Sequence, residues 1–274
     1  MHHPQKTLKN PIIASLGLLG IVIFSSSVFA FTNAEIAALR AEIKSASLGE
    51  RIAFWAEKFI GTPYDPDPLG EYVSRKVIVA DERVDCMYLT FRAVELAFGN
   101  TPEEAEMTAL ERRFRNKGVM REGKVINYED RFRYGEDMVG SGKWGREITA
   151  EIGRPSRIRG PRGAQYMIFL TPGEMLKNIT KLRSGDLIFF VKSPDTRKED
   201  EIVGHIGTIK KDKTTKVSRR KNNVTYGPAG PDQVYLIHAS GKKGSGGIVK
   251  KVLLKDYILR MPFVGAKITR FDQS

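Results

Sequence analysis

The spacing of apolar residues changes along this chain, and that change limits what it can fold into. Up to about residue 115 apolar residues recur at three and four, as in helices buried on one face. From Leu182 onward they fall in short runs between turns, as strands do. Helices first and strands later point to an α+β fold, with an N-terminal helical part packed on a mostly antiparallel sheet. Asn33 is a candidate cap for a helix reaching Lys44, with Ile36, Leu39 and Ile43 on one side. Ser47 and Glu50 have the spacing of a capping box, and Ile52, Trp55, Ala56 and Phe59 continue the helical period. Val77 to Val79 reads as an edge strand. Asp85 is placed to cap a helix that begins at Cys86, turns Leu89, Ala93, Leu96 and Ala97 inward and stops at Gly99-Asn100. Glu103 to Arg115 reads as a further helix. Strands are expected at Leu187–Val191, Ile206–Ile209, Val234–Ile237, Ile248–Leu253 and Val264–Phe271. Residues 118–165 show no clear period.

The first thirty residues have the layout of an export signal. Lys6 and Lys9 precede an uncharged stretch from Pro11 to Phe24, and Ser25 to Ala30 ends in small residues, which places cleavage after Ala30. An uncleaved anchor is the rival, since the apolar stretch extends to about 20 residues if Val28 to Phe31 is included. Both readings put the body of the protein outside the cytoplasm, in the periplasm or cell envelope. The remainder, residues 31–274, is long enough for a sizeable core. With no internal repeat or low-complexity linker, it is expected to be one monomeric domain, with insertions at about 118–165 and 210–232.

The net charge of +13 falls by only two when Lys6 and Lys9 are removed with residues 1–30, which hold no acids. Such a surplus favours anionic partners. The basic residues are dispersed and no helix-turn-helix or RNA-binding signature occurs, so nucleic acid is not an expected partner. A membrane is expected only if the signal segment stays attached. The densest basic stretch, Lys210 to Lys221, is offset only by Asp212 and reads as a solvated hairpin tip or a steering patch for anionic substrate. Gly140-Ser141-Gly142-Lys143 is no phosphate loop, because Trp144 follows the lysine and the glycines are wrongly spaced. No cofactor is implied.

An exported chain that uses cysteine for stability carries pairs of it, and this one has a single cysteine. Cys86 is therefore a core bystander, an intermolecular link or a reactive thiol. A thiol at the first turn of a helix meets unpaired backbone N–H groups and the positive dipole end, which favour the thiolate. The histidines of the body, His205 and His238, lie in or beside apolar runs, Gly204 to Ile209 and Val234 to His238. Gly204 and Gly207 suggest close backbone approach around the first. Nucleophile, base and orienting group are the minimum for thiol hydrolysis. Three zinc ligands and a non-catalytic binding module are the competing arrangements. Asp186 reads as a turn residue opening a strand.

Five segments in order resemble the NlpC-type papain-like cysteine amidases and peptidases of bacterial peptidoglycan. They are Gly61-Thr62-Pro63-Tyr64, Asp85-Cys86, Gly185 to Phe190, Gly204-His205-Ile206-Gly207 and Ile237-His238-Ala239-Ser240. The resemblance implies a papain-like core with Cys86 as nucleophile, His205 as general base and acid, and His238 orienting His205. Tyr64 would line the pocket beside the sulfur. Asp85 and Arg131 complete the expected substrate-binding set, the guanidinium suiting a substrate carboxylate. Met87 and Tyr88 stand where commoner members have Ser and Gly, and the histidines are unusually far apart in sequence. Thr90-Phe91, Glu71-Tyr72-Val73 and Arg131 to Met138 resemble the N-acetylmuramoyl-L-alanine amidase-like branch, which implies cleavage between the muramic acid lactyl group and L-alanine. The alternative bond lies between D-glutamate and the diamino acid of the stem peptide. Peptidoglycan or its muropeptides are thus the expected partner.

Overall fold

The structure, a computed structural model, describes residues 31–160, 165–197, 201–214, 217–220, 223–226, 230–242 and 246–272, without side chains for 213–232 and 242. The signal segment read from residues 1–30 lies outside the described residues. Among the described residues no helix is long and apolar enough to cross a membrane.

The N-terminal part is helical: α1 (Asn33–Glu42), α2 (Leu48–Lys58), α3 (Glu71–Ser74), α4 (Cys86–Phe98) and α5 (Pro102–Arg112). Thr32, not Asn33, caps α1. Its side chain accepts the Glu35 N–H, and the Glu35 carboxylate reaches back to the Thr32 N–H at 2.8 Å. Two donors are satisfied at once, so the helix begins at Asn33, one residue earlier than an Asn33 cap would start it. Ser47 caps α2 as expected. α5 begins after the Thr101 cap and ends at Arg112, because Arg113 turns inward to Glu95 at 2.6 Å. The expected strand at Val77–Val79 is absent. Its backbone is engaged in turn contacts, the Val77 N–H donating to the Tyr72 carbonyl and the Val77 carbonyl accepting from the Tyr128 hydroxyl.

The unreadable middle stretch folds into short pieces: the hairpin β1 (Met120–Arg121) and β2 (Lys124–Val125), α6 (Gly135–Ser141), β3 (Arg146–Glu147), α7 (Thr149–Ile152) and β4 (Ser156–Ile158), which pairs with β5 (Met167–Phe169). Burial rather than periodicity holds it. Val125, Tyr128, Phe132, Met138 and Trp144 belong to the main core, and Trp144 packs on Phe91 with centroids 4.7 Å apart.

After α8 (Pro172–Lys177) come β6 (Leu187–Lys192), β7 (Val203–Thr214), the outlying hairpin β8 (Val217–Arg220) and β9 (Asn223–Tyr226), β10 (Gly230–Lys242), β11 (Gly246–Leu253), α9 (Leu254–Arg260) and β12 (Phe263–Arg270). Six strands form one sheet in the order β11-β10-β7-β6-β12-β3, with every neighbouring pair antiparallel. Alternation along the strands gives it two apolar faces. Leu187, Phe189, Ile206 and Ile237 face the core shared with α2 and α4; Ile188, Phe190, Ile209 and Leu236 face the core shared with α8 and α9. The fold is α+β, with the N-terminal helices on a mostly antiparallel sheet, consistent with a papain-like core.

Two sequence readings change at the sheet. Asp186 is fully buried and binds Arg270 through both oxygens, at 2.6 and 2.7 Å, so it anchors β12 as well as opening β6. The basic stretch is neutralised at its base: Lys210 pairs with Glu50 at 2.9 Å, while Asp212 is taken by Lys251 at 2.6 Å. Alternation decides this, since it turns Lys210 toward the acids of α2. The side chains of Lys213 to Lys221 lie outside the described residues.

Candidate active site

Asp85 has extended backbone, and its Oδ1 accepts the Tyr88 N–H at 2.6 Å. This cap makes Cys86 the first helical residue, at the end where unpaired N–H groups collect. α4 brings that end against β7. There Phe190 pairs with His205 but Val191 pairs with Val203, so Gly204 is an extra residue in the ladder. Such a bulge bends the strand and re-aims the side chain beside it. Glu136 of α6 holds the start of the strand, accepting the Ile202 and Val203 N–H groups at 3.3 and 3.2 Å.

His205 and His238 meet. The Nε2 of His205 lies 2.8 Å from the Nδ1 of His238. Adjacent antiparallel strands explain how residues so far apart in sequence reach one another, with Thr208 opposite Ile237. Gly207 makes the approach feasible, since a Cβ there would sit 2.9 Å from the Ile237 carbonyl oxygen and 3.3 Å from the His238 Cβ. Among the described residues no other hydrogen bond engages the His205 ring, which leaves its Nδ1 for another partner. His238 is buried behind His205, and Tyr257 of α9 packs against both rings at 6.3 and 5.0 Å.

Cys86 and His205 line one cleft of about 440 Å³, with Tyr64, Asp85 and Arg131 also in its wall. The Tyr64 ring lies flat on Gly241, where a Cβ would fall 2.3 Å from its Cγ, and the Tyr64 N–H donates to the Gly247 carbonyl at 2.7 Å. Arg131 makes only a long hydrogen bond to the Tyr128 carbonyl, at 3.4 Å, and no carboxylate pairs with it among the described residues. The Oδ2 of Asp85 faces Gly70, where a Cβ would lie 3.2 Å from it. All the expected site residues but His238 thus reach one cleft, and His238 stands directly behind it. Among the described residues no three His, Cys, Asp or Glu side chains are arranged to hold a metal ion, so the zinc-ligand arrangement is not assembled.

The electrostatics differ from the expected thiolate. Burial, and next to it the Asp85 carboxylate, pushes the Cys86 thiol up to about 12, against the opposing N–H groups of Ile206, Cys86 and Met87. Burial and the neighbouring His238 bring His205 down to about 3, while burial and Lys250 bring His238 to about 4. Burial raises Asp85 to about 6, and burial with the nearby Cys86 and Asp85 raises Tyr64 to about 12. The resting site is a neutral thiol beside neutral imidazoles. The dipole argument fails here because desolvation opposes charge on either partner more strongly than a few N–H groups favour it.

Tyr257 escaped the sequence reading, and the wall from Arg131 to Gly135 was legible there only through Arg131 and the family resemblance. Tyr257 lies on α9, whose only signal is Leu254, Tyr257 and Ile258 at helical spacing directly after a strand. The wall from Arg131 to Gly135 has no periodic signal, and its close fit shows only in space: a Cβ on Gly135 would lie 2.6 Å from the Val203 side chain.

No family model and no curated protein matches the chain. Solved structures do. An N-acetylmuramoyl-L-alanine amidase from Bacteroides uniformis ATCC 8492 superposes with TM-score 0.57 at 15% identity, covering 82% of this chain and 99% of that one. A protein of Legionella pneumophila str. Philadelphia 1 gives TM-score 0.60 at 16% identity, covering 88% and 95%. A Bacteroides fragilis protein put forward as a xylanase gives 0.53 at 16% identity, covering 79% and 98%. At this identity the likeness is one of fold alone.

Proposed function

We propose that this chain is a cysteine amidase of bacterial cell-wall peptidoglycan, cutting the amide between the muramic acid lactyl group and L-alanine. The observation that carries the reading is the common cleft of Cys86 and His205, with His205 held through Nε2 by His238 so that Nδ1 is left for the sulfur. The amidase of similar fold supports the choice of substrate and bond.

In this mechanism the neutral thiol transfers its proton to Nδ1 of His205 as the sulfur bonds to the lactyl carbonyl carbon. Coupling the two events avoids a separate buried ion pair. The carbonyl oxygen becomes an oxyanion beside the backbone N–H of Cys86 and the Tyr64 hydroxyl, which stays protonated at ordinary pH. The imidazolium, steadied by His238, then gives its proton to the departing L-alanine nitrogen as the C–N bond breaks. A thioester remains. Water, losing a proton to the same imidazole, attacks the thioester and releases the lactyl carboxylate and the thiol. Arg131 suits a carboxylate of the stem peptide.

The test is mass spectrometry of products from a defined disaccharide-tetrapeptide. Release of intact tetrapeptide is the expected result, with none from Cys86→Ala. Release of a diamino acid–D-alanine dipeptide, with L-alanyl-D-glutamate left on the disaccharide, would move the cut to the D-glutamyl bond. Binding to sacculi with no product from wild type would favour a non-catalytic module.

A further inference from the structure

The cleft that holds Cys86 and His205 carries two guanidiniums on one wall, Arg131 and Arg133. Backbone at Arg131 and Tyr134 is extended, and burial alternates between them: Phe132 is sunk in the main core, Arg131 is half-buried and Arg133 is exposed. Burying the ring turns both arginines outward, to the cleft that they border.

This wall is tied at both ends. The Phe132 N–H donates to the Arg113 carbonyl at 2.9 Å, Arg131 bridges Phe114, and Arg113 is itself locked to buried Glu95. Beyond Arg133, Gly135 fits against Val203, and Glu136 holds the Ile202 and Val203 N–H groups just ahead of His205. The Arg131 guanidinium rests 5.9 Å from the Tyr128 ring centroid. A wall held this firmly loses little freedom when it takes a ligand.

Neither guanidinium has a counter-ion among the described residues, and the two acids that border the same cleft are engaged elsewhere. Oδ1 of Asp85 caps α4, and Glu201 pairs with Lys192 at 2.7 Å. Two unanswered forks on one wall suit a carboxylate, which they bind through parallel N–H···O bonds.

The proposed substrate narrows the choice of carboxylate. On the muramoyl side of the cut, the lactyl carboxyl is consumed in the amide itself and the acetamido groups are neutral, so the anion comes from the peptide. There L-alanine has both ends in amide bonds. The next residue, D-glutamate, is linked through its γ-carboxyl and leaves its α-carboxyl free. We infer that Arg131 and Arg133 bind this α-carboxylate, which makes the site selective for stem peptides whose D-glutamate is not amidated. That selectivity rests on the reaction proposed at Cys86 and adds to it the group by which the substrate is chosen.

The test compares two disaccharide-tetrapeptides that differ only there, carboxylate in one and carboxamide in the other. Wild type should cut the carboxylate form with kcat/KM about tenfold or more higher, the scale of a charge-assisted hydrogen bond. Arg131→Met/Arg133→Met should bring the ratio of the two kcat/KM values within about threefold, and a general loss of activity does not move that ratio. Either single substitution should narrow it part of the way, and Arg133→Lys less than Arg133→Met, since charge remains without the fork. Amidating the diamino acid or the terminal D-alanine instead should change wild-type kcat/KM far less. Equal rates of wild type on the two forms, an unchanged ratio in the double variant, or a larger effect of either other amidation would each overturn the assignment. Calorimetry with Cys86→Ala, which needs no turnover, keeps recognition apart from reaction. Tighter binding of the carboxylate form, with no product from wild type, would leave the two arginines their role and remove the hydrolysis; cutting of both forms at equal rates would do the reverse.

Discussion

The two ends of one buried helix handle charge in opposite ways. At the start of α4, Cys86 meets a cleft whose titratable groups are pushed toward neutrality. Two turns on, Arg92 binds Asp81 through two nitrogens and Arg113 binds Glu95 at 2.6 and 2.7 Å, while Tyr88 of the first turn also donates to Asp81 at 2.6 Å. Burial works against these guanidiniums too, but Asp81 and Glu95 more than offset it and hold both above their ordinary values. The rings of Tyr88 and Phe91 lie 5.0 and 5.3 Å from the Arg113 guanidinium, whose Nη1 has no hydrogen-bond partner among the described residues. The difference lies in partners, not depth. A buried charge with a forked counter-ion is fixed, and a buried titratable group without one stays neutral and free to exchange its proton.

Removing the sulfur tests this contrast most severely. Cys86→Ala should lower the proposed hydrolysis by roughly four orders of magnitude or more, with the urea midpoint little changed; activity above a tenth of wild type would dissolve the distinction between the two ends. Glu95→Gln should do the reverse, costing about 3–5 kcal/mol by leaving buried guanidiniums uncompensated, with activity per folded molecule retained. Urea denaturation read beside turnover separates the two. His238→Ala should reduce kcat roughly a hundredfold with KM near wild type if, as proposed, the lost group orients His205 rather than touching substrate. A change confined to KM would remove His238 from this role.

The smallest effect is the pH dependence of stability. His205 and His238 titrate lower folded, at about 3 and 4, than unfolded, at 6.5. Between those values the unfolded chain binds more protons, so their contribution is complete above about 6.5 and fades as pH falls. Asp85 works the other way: raised to about 6 from 3.8, it contributes fully below 3.8 and loses that contribution as pH rises through 6. Two histidines against one carboxyl predict a lower denaturation midpoint at pH 4 than at pH 7. Asp85→Asn should keep the cap and steepen that fall; no change in slope would mean that Asp85 does not oppose the histidines.

What was legible beforehand was local. Asp85 and Cys86 announced a capped helix, and Ser47 with Glu50 announced another, because caps depend on residues three apart. The strands carrying both histidines were visible from runs of apolar residues, and Gly207 from its setting beside His205. Val77 to Val79 misled because three apolar residues say nothing about whether a partner strand is near. Asp186 passed for a turn residue, its partner Arg270 lying on the last strand.

Sequence alone settled the order of helices and strands, the start of α4 and the few residue types able to do thiol chemistry, all of which follow from neighbours within one or two turns. Tertiary structure decided which of these meet. Strand pairing set His205 against His238, and the bulge at Gly204 lies where His205 reaches the Cys86 cleft. It also decided ionisation. Whether a thiol or an imidazole carries charge depends on the solvent and counter-ions left around it after distant segments have packed, and no local pattern encodes that.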